Sequence, residues 1–304
     1  MAQDKNGFGG LVDPITDTNP DSTFSSFGAS TAEETYTADE KANVNNILVT
    51  VPDDRTPVVV LFGSQASGKT LAMLRLIRYL ESHAYNVLPE NVFRPKTDGH
   101  YARMCKELKQ MAYSSYAPSG NDIISFMLVK VLDRVGNPVC QILEAPGEHY
   151  FNGSSDLTFP TYIEHIARVI PNQKIWVFFV EQDWGDTQDE RNLYAQKICR
   201  MQEIVAANRK DKVIFLFNKV DKHSEQFKAG RPNKQAFFNI IRNQYPGIFT
   251  RYQNTGWFAK ALWGEFNFTA ICFSAGTFTN AGSAQVWNIS PDYYCQDLWN
   301  AIKK

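Results

Sequence analysis

Apolar positions along the chain fall into two rhythms. Three continuous runs, PVVVLF (57–62), KIWVFFVE (174–181) and KVIFLFN (212–218), carry hydrophobic residues on successive positions, which predicts strands buried on both faces. Between them the spacing switches to that of helices. Leu71, Leu74, Ile77 and Leu80 form one stripe, and Tyr194, Ile198, Met201 and Val205 form another. The second follows Thr187 and an acidic first turn, a helix-start signal. PTYIEHIARVI, PNKQAFFNIIRNQ and DYYCQDLWNAIKK read as further helices, and NFTAICFS as a further strand. DIISFMLVKVLD and PVCQILEA, joined by RVGN, read as a β-hairpin turning at Gly136-Asn137. Strands alternating with helices predict a parallel sheet covered on both sides, with the hairpin supplying one antiparallel edge strand. Residues 86–100 read as polar and irregular, and no internal repeat is present.

Residues 1–46 are rich in Asp, Asn, Ser, Thr and Gly, a composition that cannot bury enough surface to offset ordering. They are expected to form a flexible polar tail, either inert or carrying short docking motifs around its isolated Phe residues. Residues 47–304 then form one domain. The N-terminal MAQDKNGFGG lacks the regions of a signal peptide, and no apolar run reaches membrane-spanning length, so a cytoplasmic protein without a membrane anchor is expected. A formal net charge of −1 gives no electrostatic footprint for nucleic acid. The five cysteines are scattered without a C-x-x-C pair and read as reduced core thiols.

The chemistry begins after the first strand. Gly63-Ser64-Gln65-Ala66-Ser67-Gly68-Lys69-Thr70 matches G-x-x-x-x-G-K-[ST] between a strand and a helix. The glycines let the backbone curl so that successive N–H groups point at an anion, and the helix N-terminus adds its dipole. Lys69 would reach the β- and γ-phosphates, and the Thr70 hydroxyl would ligate Mg²⁺. Directly after the third run comes Asn218-Lys219-Val220-Asp221. Asp221 can accept from both N1–H and the exocyclic amine of guanine, Asn218 can bond the N7 side, and the Lys219 stem can cover the base.

With these two motifs in order about 150 residues apart, the chain resembles the Ras-like, TRAFAC-class GTPases over residues 50–304. The resemblance implies a three-layer P-loop NTPase fold of the α/β class, with a mostly parallel six-stranded sheet and helices on both faces. It implies GTP and GDP as ligands with Mg²⁺ as cofactor. In LEAPGEH (143–149), Glu144 stands where the family's Asp holds Mg²⁺ through water, and Gly147 stands where a glycine amide senses the γ-phosphate. Ser274, Ala275 and Gly276 resemble the Ser-Ala-Lys loop that contacts guanine O6, with Gly276 replacing the lysine. Thr97, the sole threonine between Thr70 and Asn121, is the choice for the switch threonine that also ligates Mg²⁺.

Two departures bear on turnover. Glu148 occupies the position of the water-orienting Gln, followed by His149, so either could act on water. Gln65 replaces a glycine that lets a partner's arginine approach. Slow intrinsic hydrolysis is therefore expected, the alternative being a GTP-binding scaffold or regulatory subunit with little turnover. An ATPase or nucleotide kinase is disfavoured by the Asn-Lys-x-Asp tetrad. APGEHYF resembles bacterial double-GTPase-like families most, and more distantly the signal-recognition-particle receptor β subunit. A protein partner is expected at the switch regions or at the aromatic-rich stretches within 246–290, which read equally well as core packing beneath loops.

Overall fold

The computed structural model describes residues 37–304, apart from 117–125, 154, 183, 186, 206–209, 255, 258–259, 262–264 and 283. Its centre is a seven-stranded sheet in the order β2-β3-β4-β1-β5-β6-β9. These are β1 (Val58–Phe62), β2 (Asn86–Pro89), β3 (Met127–Leu132), β4 (Pro138–Glu144), β5 (Lys174–Glu181), β6 (Lys212–Asn218) and β9 (Thr269–Cys272). β1 pairs in parallel with β4 and β5, and β5, β6 and β9 continue in parallel. β1 and β5 are buried at every position, as uninterrupted apolar runs require.

The three-layer α/β class is as expected, with one correction of count. The sheet has seven strands where six were expected, because Asn86–Pro89, within the stretch read as irregular, pairs antiparallel with β3. Only Val87 of that strand is fully buried, so the hydrophobic run that marks a strand is missing. β3 runs antiparallel to β4, and the turn between them holds Gly136 at φ +89° with its N–H donating to Asp133 O.

Helices cover both faces: α2 (Lys69–Ser82), α3 (Gly99–Tyr113), α4 (Gly147–Tyr150), α5 (Thr161–Arg168), α6 (Gln188–Val205), α7 (Lys234–Gln244) and α8 (Tyr293–Lys303). α2 buries Leu74, Ile77 and Leu80, and its buried Arg75 donates to Ser290 O at 2.7 Å and to Asp292 at 2.5 Å, clamping it to the start of α8. Two hairpins stand outside the main sheet, β7 (Phe227–Lys228) with β8 (Arg231–Pro232) and β10 (Gly276–Ala281) with β11 (Ala284–Ile289).

The stretch expected to be a tail, 1–46, overlaps the described residues from Thr37 on. Residues 1–36 lie outside the described residues, but α1 (Ala38–Ala42) is a short helix with a capping box, in which Thr37 and Glu40 exchange hydrogen bonds. Glu40 is buried against Arg94, which also holds Asp98 and donates to Leu48 O. A buried, paired acid is not a tail residue. The signal was present as a capping box, T-x-x-E, in a polar surrounding.

Of the aromatic stretches, Phe249, Tyr252 and Phe268 each pack on Phe215 of β6, and Phe266 packs at a tilt against Phe268. Phe249 and Tyr252 are core residues, and Phe266 and Phe268 are half-buried against the core. Trp257 is 70% exposed.

Candidate nucleotide site

The site is built at the carboxyl ends of β1, β4, β6 and β9, where an open α/β sheet binds ligands. After β1 the chain turns through Gly63–Gly68 into α2. A Cβ on Gly63 would lie 2.5 Å from Ser67 Oγ, and one on Gly68, at φ +84°, would lie 2.6 Å from Asn218 Nδ2. Gly68 is demanded by its left-handed backbone, and a side chain at Gly63 would have to displace Ser67 Oγ. Ala66 adopts φ +58° without being glycine, a conformation that costs roughly 1–2 kcal/mol and is retained where the surroundings over-determine it.

Lys69 is buried, and its Nζ donates to Gly63 O and Ser64 O, both at 3.0 Å. Burial lowers its pKa, while Glu144 and Glu148 oppose that shift. Thr70 Oγ1 donates a short hydrogen bond to Glu144 Oε1. The extra methylene of glutamate lets the β4 acid reach the hydroxyl directly. Burial raises Glu144 to about 7, against the attraction of Lys69, and its Oε2 has no hydrogen-bond partner. A hydroxyl beside a buried carboxylate with one unpaired oxygen fits a hard divalent cation whose remaining ligands are phosphate and water.

Gly147 starts α4 directly against the loop. A Cβ there would lie 2.3 Å from Gln65 N and 2.4 Å from Ser64 C, so only glycine permits this contact. The next residues diverge. Glu148 is exposed, whereas His149 is buried and shares a 2.8 Å hydrogen bond with the Tyr162 hydroxyl through Nδ1. Burial lowers the His149 pKa. The expected choice between the two for acting on water therefore falls away from His149, because His149 packs edge-on to Tyr162 and near Phe126.

The Asn218–Asp221 loop folds onto the phosphate loop. Asn218 Nδ2 donates to Ser67 O at 2.7 Å, and Lys219 Nζ donates to Ala66 O at 2.9 Å. Lys219 is itself at φ +56°, so the two non-glycine residues with left-handed backbones in this site are bonded to each other. Asn218 Oδ1 and Ser67 Oγ are buried without partners. Asp221 sits half-buried in the turn that follows.

Ser274–Gly276 lies beyond β9, and Val220 N donates to Phe273 O, joining this loop to the Asn218–Asp221 loop. Ser274 is buried and accepts from Gly276 N at 3.1 Å. The missing lysine has a steric reason. Gly276, at φ +132°, opens β10, and a Cβ would lie 2.2 Å from Asn288 O of β11. Thr97 is the expected residue left apart. It is exposed in the turn before Asp98, the N-cap of α3, and no described contact joins it to Thr70 or Glu144.

Sequence reasoning missed Glu181, at the end of β5. Its Oε2 pairs with Lys219 Nζ at 2.6 Å, so it fixes the lysine expected to cover the base. The signal was a carboxylate closing the apolar run IWVFFV of β5, the strand between the two motif strands.

No protein-family profile matches the chain, and no curated protein matches it. Among solved structures it is similar to the "Signal recognition particle receptor SRb-GTP/SRX complex from Chaetomium thermophilum", at 10% identity and TM-score 0.34, over 75% of this chain and 93% of that one. Strand order, layer arrangement and the loop after β1 define the class, a mixed α/β protein with a seven-stranded, mostly parallel sheet and a P-loop sequence motif between β1 and α2. Among the described residues no helix is long and apolar enough to cross a membrane.

Proposed function

We propose that this chain binds guanine nucleotides as a switch protein and hydrolyses GTP to GDP slowly with Mg²⁺. One observation carries the reading. Asn218 and Lys219 are hydrogen-bonded to the Ser67 and Ala66 carbonyls of the Gly63–Thr70 loop, which supports reading the two motifs as the phosphate end and the base end of one nucleotide site.

In this reading the loop amides and Lys69 hold the phosphates, and Asp221 selects guanine by accepting from its N1–H and amine. Thr70 and Glu144 would hold Mg²⁺, whose charge neutralises the phosphates when bound. Thr97 is not retained as a ligand. Water is the nucleophile, and Glu148 is the exposed polar side chain beside Gly147 that could orient it. Positioning and charge neutralisation supply the catalysis.

The test compares fluorescent GDP with fluorescent ADP at equilibrium, with and without Mg²⁺. Guanine should bind at least about 100-fold tighter, because a pocket built to pair a purine edge rejects the unpaired one. Equal affinities sink the proposal. Asp221→Asn should shift preference to xanthine nucleotides, and an unchanged preference would remove Asp221 as the base reader.

A second reading, a GTP-binding scaffold with little turnover, is favoured by the inward-facing His149 and by an acid at position 148. Phosphate release by the intact protein, set against Lys69→Ala, separates the two.

A further inference from the structure

Among the described residues β9 ends the main sheet, with β6 beside it and no strand on its other side. Phe273 N donates to Phe217 O at 2.8 Å, so by the two-residue period of a strand Thr269 and Ile271 also address β6. Ala270 and Cys272 then turn their N–H and C=O groups outward. All four strand residues line a groove of about 700 Å³, closed on its other sides by the β7–β8 hairpin, the start of α7 and one face of α8.

The groove is strongly one-signed. Arg231, Lys234, Lys303 and Lys304 line it, against a single carboxylate, Asp297. None of the four cations forms an ion pair among the described residues. Arg231 lies over the Tyr293 ring at 4.6 Å, which holds it at the rim, while Lys303 lies over the Trp299 ring at 5.6 Å and donates to the Tyr85 hydroxyl at 3.5 Å. A sheet edge left open is an association hazard that proteins normally blunt or use. Here the basic rim selects what can reach it.

We propose that the β9 edge is a docking site for an extended acidic peptide segment of a partner protein, which adds as a further strand. Its backbone pairs with Ala270 and Cys272, and its carboxylates meet Arg231, Lys234, Lys303 and Lys304. An unpaired backbone ladder distinguishes this occupant from nucleic acid or an anionic lipid surface, which would use the charges alone. No residue of Gly63–Thr70 lines the groove, and the proposal does not depend on the nucleotide assignment.

The probe is a fluorescein-labelled decapeptide alternating Glu with Val and Thr, capped at both ends. It is titrated with the full chain at low salt and followed by anisotropy, with amide hydrogen exchange read at residues 270 and 272. Saturable binding with a dissociation constant below about 1 mM, and slowed exchange at both amides, are expected. Arg231→Glu with Lys303→Glu should weaken binding at least about tenfold. Ala270→Pro should also weaken it, since proline removes only the outward donor and is tolerated on a strand edge. Methylating alternate peptide nitrogens should abolish it at unchanged charge. No binding, binding indifferent to the charge reversals, or binding indifferent to N-methylation overturns the proposal. So does tighter binding of oligothymidylate or of phosphatidylserine vesicles.

Discussion

Replacing Glu144 by Gln tests the electrostatics of the site without disturbing its shape. Glu144 is 2% exposed, and its pKa is raised from 4.5 to about 7, chiefly through burial. A raised folded pKa means that the folded state binds more protons than the unfolded chain between those two values. The carboxyl therefore contributes its full stability below pH 4.5 and loses it as pH climbs through 7. About 2.5 units at 1.36 kcal/mol each give a loss of roughly 3 kcal/mol. Gln keeps an oxygen for the Thr70 hydroxyl but cannot ionise. In urea titrations with chelator present, the two proteins should be equally stable near pH 4.5, and Glu144→Gln should be the more stable by up to about 3 kcal/mol near pH 8. His149 contributes with the opposite sign, since its lowered pKa makes stability fall as pH drops below about 6.5. Both proteins keep it, so it cancels in the difference. Adding Mg²⁺ and GDP should restore the wild type above the variant, because the cation needs the carboxylate. A stability difference that does not change with pH would refute the assignment of a strained buried acid.

Three further outcomes are expected. Lys69→Ala should weaken GDP binding by on the order of 100-fold, the loss of about two charge-assisted hydrogen bonds, measured by fluorescent-nucleotide titration. Gly147→Ala must drive the start of α4 off the phosphate loop, where Gln65 N and Ser64 C leave no room. It should cost about 1–3 kcal/mol in denaturant titration and speed proteolysis within 147–160; no change in either would mean the contact is not kept in solution. Arg94→Met leaves the buried Glu40 and Asp98 facing each other without a cation and should cost about 3–5 kcal/mol, with Glu40→Gln recovering part of it in a double-mutant cycle.

What the sequence made legible follows from how each feature is encoded. The strands β1, β5 and β6 announce themselves because burial on both faces leaves no polar position. Asn86–Pro89 does not, because only Val87 of the four is fully buried. The Gly63–Thr70 and Asn218–Asp221 motifs stand out in the sequence because each is a short contiguous pattern directly after a strand. Arg94 with Glu40, Lys219 with Glu181 and His149 with Tyr162 were not, because each joins residues that only tertiary structure brings together. Glu148 and His149 are adjacent in the chain yet face opposite ways, one to solvent and one to the Tyr162 hydroxyl. That division comes from the single turn of α4, which has no periodicity long enough to show its buried side in sequence.

The β10–β11 hairpin deserves a mechanical reading. Trp287 hangs on Ala275 O through its indole nitrogen, its backbone amide hangs on Ser115 O beyond α3, and Ser290 N returns to Ala275 O. The strip is thus pinned at its root to the expected purine end and along its length to the exit of α3. Bending its tip would tug both anchorages at once, so displacement in one region would be felt in the other without passing through the sheet.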